Sequence, residues 1–115
     1  MRLKIFHNPR CSKSRATLQL LRDRGLEPEV ILYLENPPSA GELRDILGKL
    51  SRAPRELMRR GESEYRAQGL DDPALSEQQL IAAMVATPKL IERPIVLYRG
   101  KAALGRPPES VLDIL

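Results

Sequence analysis

The sequence predicts an α/β domain in which a small, mixed, four-stranded sheet carries a helical insertion between its second and third strands. Three observations support this fold class. A strand pattern, a helical pattern and a second strand pattern follow one another within about the first 34 residues. Helical patterns then fill approximately residues 39–90. Two more strand patterns, joined by a two-residue turn, come after them, so a parallel pair and an antiparallel pair are both expected.

The first strand and helix are indicated by polarity and by turn residues. Residues 2–6 alternate polar and apolar, as a short strand does, and Asn8–Pro9 interrupts regular structure. A helix is expected from Cys11 or Ser12 to about Arg24, because Gly25 stands where a helix C-terminal glycine is favoured. The residues expected to line its buried face are Ala16, Thr17, Leu18, Leu20 and Leu21.

The second strand pattern, residues 29–34, is almost continuously apolar. Such a run is typical of a strand that is buried on both faces of a sheet. With the helix before it, the pattern predicts a βαβ unit with parallel strands and a right-handed crossover.

Capping boxes mark two helices of the insertion, at Ser39–Glu42 and at Ser76–Gln79. Shorter helical turns are expected from Pro54 and over residues 63–68. The apolar positions expected to be buried in these helices are Leu43, Ile46, Leu47, Leu50, Leu57, Met58, Leu80, Ile81, Met84 and Val85.

The last strands are expected at residues 94–98 and 101–104, with Arg99–Gly100 as the turn, before a short terminal helix. This order of elements predicts a thioredoxin-like (glutaredoxin-like) fold, with residues 1–115 as one domain. In that fold a reactive cysteine begins the first helix and a cis-proline opens the third strand. Cys11 and Pro94 stand at these positions, and a cis Pro94 is therefore expected.

Composition limits the classes of function. The 115 residues carry a net charge of +4, with 42% hydrophobic and 30% charged residues, as in ordinary soluble domains. Only 3% are aromatic, which leaves few platforms on which single-stranded nucleic acid could stack. A single cysteine forms no internal disulfide, and neither a signal segment nor a membrane-spanning run is evident. We therefore expect a cytoplasmic protein without nucleic-acid or membrane partners.

The candidate site is the segment 6–15, which holds the only cysteine, Cys11, and the only histidine, His7. Three cations, Arg10, Lys13 and Arg15, surround the thiol, and no acid lies among them. The helix N-terminus and these charges favour the thiolate over the thiol. A small, buried, inert cysteine is the alternative interpretation.

Spacing separates the possible thiol chemistries. A dithiol oxidoreductase needs a second cysteine where Ser14 stands, and a phosphatase-type loop needs an arginine where Thr17 stands. One cysteine and one histidine are too few for a metal site. A protease pair with His7 is disfavoured, because the two residues flank one short loop. What remains is a monothiol nucleophile that attacks an oxyanion and is regenerated by a thiol from another molecule.

Four segments together resemble the glutaredoxin-coupled arsenate reductase (ArsC) family: residues 7–15, 31–38, 93–96 and 106–107. The resemblance extends over essentially the whole chain. It implies that Cys11 attacks arsenate or a similar oxyanion, and that glutathione, as co-substrate, and glutaredoxin then reduce the adduct to arsenite. No bound cofactor and no metal are implied.

The resemblance also implies roles for six further residues. Arg59, Arg93 and Arg106 match the arginines that bind the oxyanion, although Arg60 is an alternative to Arg59. The residues that match supporting positions around the thiolate are His7, Ser14 and Arg15. The chain departs from the best-studied members at Ser12–Lys13, where they carry Gly-Thr. An interaction protein resembling the Spx-like relatives, which bind RNA polymerase, is the alternative function.

Overall fold

The computed structural model describes residues 2–115. The strands are β1 (Lys4–His7), β2 (Glu29–Leu32), β3 (Ile95–Tyr98) and β4 (Lys101–Leu104). The α-helices are α1 (Ser12–Asp23), α2 (Ala40–Leu50), α3 (Ser63–Ala67) and α4 (Glu77–Ala86), and 3₁₀ helices span Pro54–Leu57, Pro88–Leu90 and Pro108–Ile114. The chain divides into two units: the first contains the residues up to Asn36 together with Arg93–Leu115, and the second is Pro37–Glu92.

The sheet belongs to the first unit and has the strand order β2-β1-β3-β4. β1 runs parallel to β2 and antiparallel to β3, and β4 is antiparallel to β3. The β3–β4 turn is formed by Arg99 and Gly100, with φ of 53° and 76°. Two positive φ angles match the twist of a tight hairpin. The predicted mixed sheet and two-residue turn are confirmed.

The core of the first unit lies between the sheet and two helical segments. Its buried residues are Leu3, Ile5, Leu18, Leu21, Val96 and Val111. α1 contributes Leu18 and Leu21, and the terminal 3₁₀ helix contributes Val111, so both segments cover the same face. Ala16 is exposed, although a buried position was expected. The buried stripe of α1 includes Ser14 in addition to the expected Thr17, Leu18 and Leu21.

The prediction for the second strand was wrong in length and in burial. β2 ends at Leu32, and the chain turns there because the N–H groups of Glu35 and Asn36 both donate to the Leu32 carbonyl, each at 2.9 Å. Val30 is 36% exposed and Leu34 is 45% exposed. β2 is an edge strand, and an apolar run alone does not distinguish an edge from the centre of a sheet.

The second unit contains α2, α3 and α4. Both predicted capping boxes are present: the Ser39 hydroxyl accepts from the Glu42 N–H and the Ser76 hydroxyl accepts from the Gln79 N–H, each at 3.1 Å. α2 and α4 pack against each other. Their buried residues are Leu43, Ile46, Leu47, Leu80, Ile81 and Met84. Across residues 2–115, no helix has the length and apolar character needed to cross a bilayer.

Candidate active site

Cys11 is the N-cap residue of α1, with extended backbone angles, and its side chain is 8% exposed. Its carbonyl accepts the N–H of Arg15 at 3.0 Å, the first bond of the helix. The N–H groups of Ser12, Lys13 and Ser14 therefore have no acceptor within the helix. No side chain in the described chain caps this end, and its first turn carries no acid. The positive end of the helix is available to an anion or a thiolate.

Three hydrogen bonds hold the loop that leads to the cysteine. The Cys11 N–H donates to the Asn8 carbonyl at 3.0 Å. The Arg10 N–H donates to Asn8 Oδ1 at 3.0 Å, which is a local turn of the kind that asparagine favours. Arg15 Nη1 donates to the Pro9 carbonyl at 2.9 Å. The backbone that carries the thiol is thus fixed before any ligand arrives.

His7 and Ser14 form the buried side of this loop. The two residues are 6% and 0% exposed, and Ser14 Oγ lies 2.6 Å from His7 Nδ1. The same hydroxyl oxygen accepts the N–H of Asn8 at 3.0 Å. One hydroxyl therefore joins the end of β1, the loop and the first turn of α1.

The environment of His7 favours its neutral form. Burial, followed by the positive charges of Arg22 and Arg15, lowers the pKa of His7 below its ordinary value of 6.5. With a neutral ring, the Ser14 hydroxyl can donate to Nδ1 of His7 while its oxygen accepts the N–H of Asn8, and the hydroxyl proton then has an acceptor. This assignment places the ring proton on Nε2.

Arg93 and Arg106 lie at the same end of the strands as His7. Phe6 pairs with Ile95, and Ile95 pairs with Leu104. Arg93, two residues before Ile95, and Arg106, two residues after Leu104, therefore lie near the end of β1 that leads to the cysteine loop. The Arg93–Pro94 peptide is cis, as expected from the fold. Arg106 Nη1 donates to the Arg93 carbonyl at 3.2 Å. The Arg106–Pro107 peptide, for which no cis bond was expected, is also cis.

Gly105 allows these segments to approach α1 closely. Its N–H donates to the Pro94 carbonyl at 2.9 Å. A Cβ at this position would lie 2.5 Å from Thr17 Oγ1 and 2.7 Å from Pro94 Cγ. Only a glycine fits between these two neighbours as they stand, and it thereby joins the strand that leads to Arg106 with the helix that begins after Cys11.

Arg59 lies in the second unit, and its side chain is held by two carboxylates. Its Nε is 3.2 Å from Glu62 Oε1 and its Nη1 is 3.7 Å from Glu92 Oε1. Arg60 differs, because its side chain is exposed and Nε donates to the Arg55 carbonyl at 3.3 Å. Of the two candidates for the third oxyanion-binding arginine, Arg59 thus has a side chain held in place and Arg60 has one exposed to solvent.

Sequence reasoning did not identify several residues that shape this region. Asn8 was treated only as an interruption of regular structure, although its side chain also closes a local turn by accepting the Arg10 N–H. Gly105 and the carboxylates beside Arg59 gave no signal, because their contacts join segments distant in the chain. Within residues 2–115, no group of three His, Cys, Asp or Glu side chains is placed to hold a metal ion.

Comparisons with known proteins find similar sequences over nearly the whole chain. The family model described as the ArsC family matches residues 6–114. The chain is 59% identical over 114 residues to the uncharacterized protein YfgD of Escherichia coli (strain K12), covering 98% of this chain and 96% of that protein. It is 52% identical over 114 residues to the arsenate reductase of Neisseria meningitidis serogroup B, covering 98% and 97%.

A solved structure supports the fold that the order of elements predicts. The arsenate reductase from Vibrio cholerae superposes with a TM-score of 0.97 at 51% identity, covering 100% of this chain and 98% of that one. The thioredoxin-like fold predicted from the order of the elements is confirmed.

Proposed function

Because this chain belongs to the ArsC family, we propose that it is an arsenate reductase that takes electrons from glutathione and glutaredoxin. The observation that carries the proposal is the position of Cys11 at the uncapped, positive end of α1. A thiolate and an oxyanion are both stabilised at such a helix end. The names of the similar proteins from Neisseria meningitidis and Vibrio cholerae support arsenate as the substrate.

In the first step, the Cys11 thiolate attacks the arsenic atom of arsenate. A sulfur–arsenic bond forms and one arsenate oxygen leaves as water, while arsenic stays in the +5 state. Glutathione then attacks the adduct, and glutaredoxin supplies the second thiol. Overall, one arsenate and two thiols give one arsenite, one disulfide and one water, so two electrons pass from sulfur to arsenic and Cys11 is regenerated.

The second thiol must come from another molecule, because Cys11 is the only cysteine in the sequence. Ser14, which stands where a dithiol enzyme has its second cysteine, is buried against His7. The use of glutathione and glutaredoxin therefore forms part of the proposal. A reducing compartment suits such a thiol enzyme, and we include a cytoplasmic location on that ground.

Arg93, Arg106 and Arg59 are proposed as the oxyanion ligands. Guanidinium groups form charge-assisted hydrogen bonds to oxyanions and stabilise charge that develops on a leaving oxygen. The proposal for Arg93 and Arg106 is supported by their place beside the end of β1. His7, Ser14 and Arg15 are proposed to hold the cysteine loop in place through the hydrogen bonds described above.

A coupled assay tests this function. Oxidation of NADPH by glutathione reductase is followed with arsenate, glutathione, glutaredoxin and the purified protein. We expect turnover that disappears in Cys11→Ser and falls when glutathione or glutaredoxin is left out. Turnover by the parent protein no greater than that of Cys11→Ser would contradict the proposal.

A further inference from the structure

The side chain of Arg59 is held between two acids of the second unit. Glu62 lies against Nε and Glu92 lies against Nη1, and the three side chains are 23–25% exposed. Nε and Nη1 are buried, and neither makes a hydrogen bond of good geometry to its carboxylate. The contacts are therefore mainly electrostatic. We call Arg59, Glu62 and Glu92 the arginine clamp.

The backbone beneath the clamp is fixed. Met58 and Ile91 form an antiparallel bridge. The Arg59 N–H donates to the Leu90 carbonyl at 2.7 Å, and the Glu92 N–H donates to the Leu57 carbonyl at 2.8 Å. Arg59 and Glu92 thus lie on two segments that are bonded to each other on both sides of the bridge. Their ion pair follows from the local fold rather than from a chance meeting of two surface side chains.

Glu62 is held in turn by Lys89. Lys89 Nζ lies 3.5 Å from Glu62 Oε2 and 2.9 Å from Glu64 Oε2. Glu62 therefore presents one oxygen to Arg59 and the other to Lys89, which restricts its rotation. Glu64 contacts Lys89 and accepts from Ser63 Oγ at 3.0 Å, so it carries the same charge nearby without an ion pair to Arg59.

The clamp has two consequences for Arg59. Within residues 2–115, Nη2 makes no hydrogen bond. Unlike Nε and Nη1, it is not buried. Its two N–H groups are the donors left for a ligand. The two carboxylates also offset the positive charge of the arginine, so that an anion reaching Nη2 meets a donor whose net attraction is reduced.

We propose that Glu62 and Glu92 are positioning residues, which direct Arg59 to bind the oxyanion through Nη2 and weaken its attraction for the anion before reaction. This inference rests on the proposed function only in taking Arg59 as an oxyanion ligand. Modest ground-state affinity is compatible with fast turnover, because only interactions that strengthen in the transition state raise kcat.

Calorimetric binding of arsenate to proteins that carry Cys11→Ser tests the clamp without any reaction. Glu92→Gln removes the charge but keeps an oxygen beside Arg59 Nη1 and nearly the same side-chain volume. We expect it to lower the Kd about three- to tenfold, with Glu62→Gln shifting the Kd in the same direction. The matched control is Glu64→Gln, for which we expect a change smaller than about twofold.

In an Arg59→Met background, Glu92→Gln should no longer change the affinity. Unaltered binding by Glu92→Gln and Glu62→Gln, or unaltered binding by Arg59→Met, would overturn the inference. So would the absence of arsenate binding in every variant. Binding that responds as expected in a protein that does not reduce arsenate would leave the clamp supported and would refute the proposed function alone.

Turnover separates positioning from simple structural support. With Cys11 present, Glu92→Gln should lower KM and leave kcat close to that of the parent. Glu92→Ala, which also removes the side chain beside Nη1, should lower kcat about tenfold, because Arg59 is no longer held in one direction. Equal effects of the two variants on kcat and KM, with equal losses of melting temperature, would show a merely structural role.

Discussion

Replacing Gly105 by alanine would add a methyl group where two buried neighbours already lie. The new Cβ would be 2.5 Å from Thr17 Oγ1 and 2.7 Å from Pro94 Cγ. Thr17 and Pro94 are both among the fully buried side chains. The Thr17 hydroxyl also donates to the Lys13 carbonyl at 2.8 Å, so it cannot rotate away without losing that bond.

The size of the effect follows from these distances. Ordinary contacts of a Cβ begin near 3.4 Å. Helix α1 and the Pro94 segment would therefore have to separate by several tenths of an ångström in a well-packed core. Overpacking of this kind costs about 1–3 kcal/mol of unfolding free energy. The φ of Gly105 is not positive, so no backbone strain is added to this cost.

Urea unfolding followed by circular dichroism measures the change. The matched control is Gly48→Ala in α2, where a Cβ meets nothing within 4 Å. That exposed helical position should gain about 0.5–1 kcal/mol from the same substitution. Opposite signs are thus expected for one chemical change at two sites. If Gly105→Ala unfolded at the same urea concentration as the parent, the close approach of α1 to Gly105 would not restrict the size of the residue at this position, and the reasoning would be refuted.

Three further predictions concern His7 and the serines. Stability attributable to neutral His7 should be fully present above pH 6.5, its ordinary pKa, and lost as pH falls, because the unfolded chain takes up the proton first. Urea midpoints should therefore fall more steeply towards low pH for the parent than for His7→Gln, and equal slopes would contradict this. Ser14→Ala should cost about 1–3 kcal/mol by leaving buried polar groups unpaired, whereas Ser12→Ala, at an exposed position, should cost under about 0.5 kcal/mol. Ser39→Ala should cost about 1 kcal/mol in the same measurement through loss of the α2 cap, and an unchanged midpoint would refute it.

Elements governed by neighbouring residues could be predicted from the sequence. The serine caps at residues 39 and 76 act on N–H groups three positions away, and both helices begin where these caps predict. The Arg99–Gly100 turn is local in the same sense. Cys11 could be placed at a helix start because the breaker Asn8–Pro9 and the apolar stripe of α1 lie on either side of it.

Features that depend on distant segments could not be predicted in this way. β2 carries the apolar run of a central strand, but its place at the edge follows from the order in which strands pair. The ion pair of Arg59 with Glu92 joins residues from two separate parts of the second unit. No local sequence pattern predicts the edge position of β2 or the Arg59–Glu92 ion pair, because both result from how remote segments pack.

The hydrogen bond from Arg106 to the Arg93 carbonyl makes one arginine position depend on the other in one direction only, because the acceptor is a main-chain atom. A substitution at Arg106 removes its own guanidinium and also frees the backbone from which the Arg93 side chain extends. A substitution at Arg93 keeps this main-chain acceptor, so only the loss of Arg106 breaks the bond. An Arg106 variant should therefore disturb the position of Arg93, whereas an Arg93 variant should leave the backbone contact of Arg106 in place.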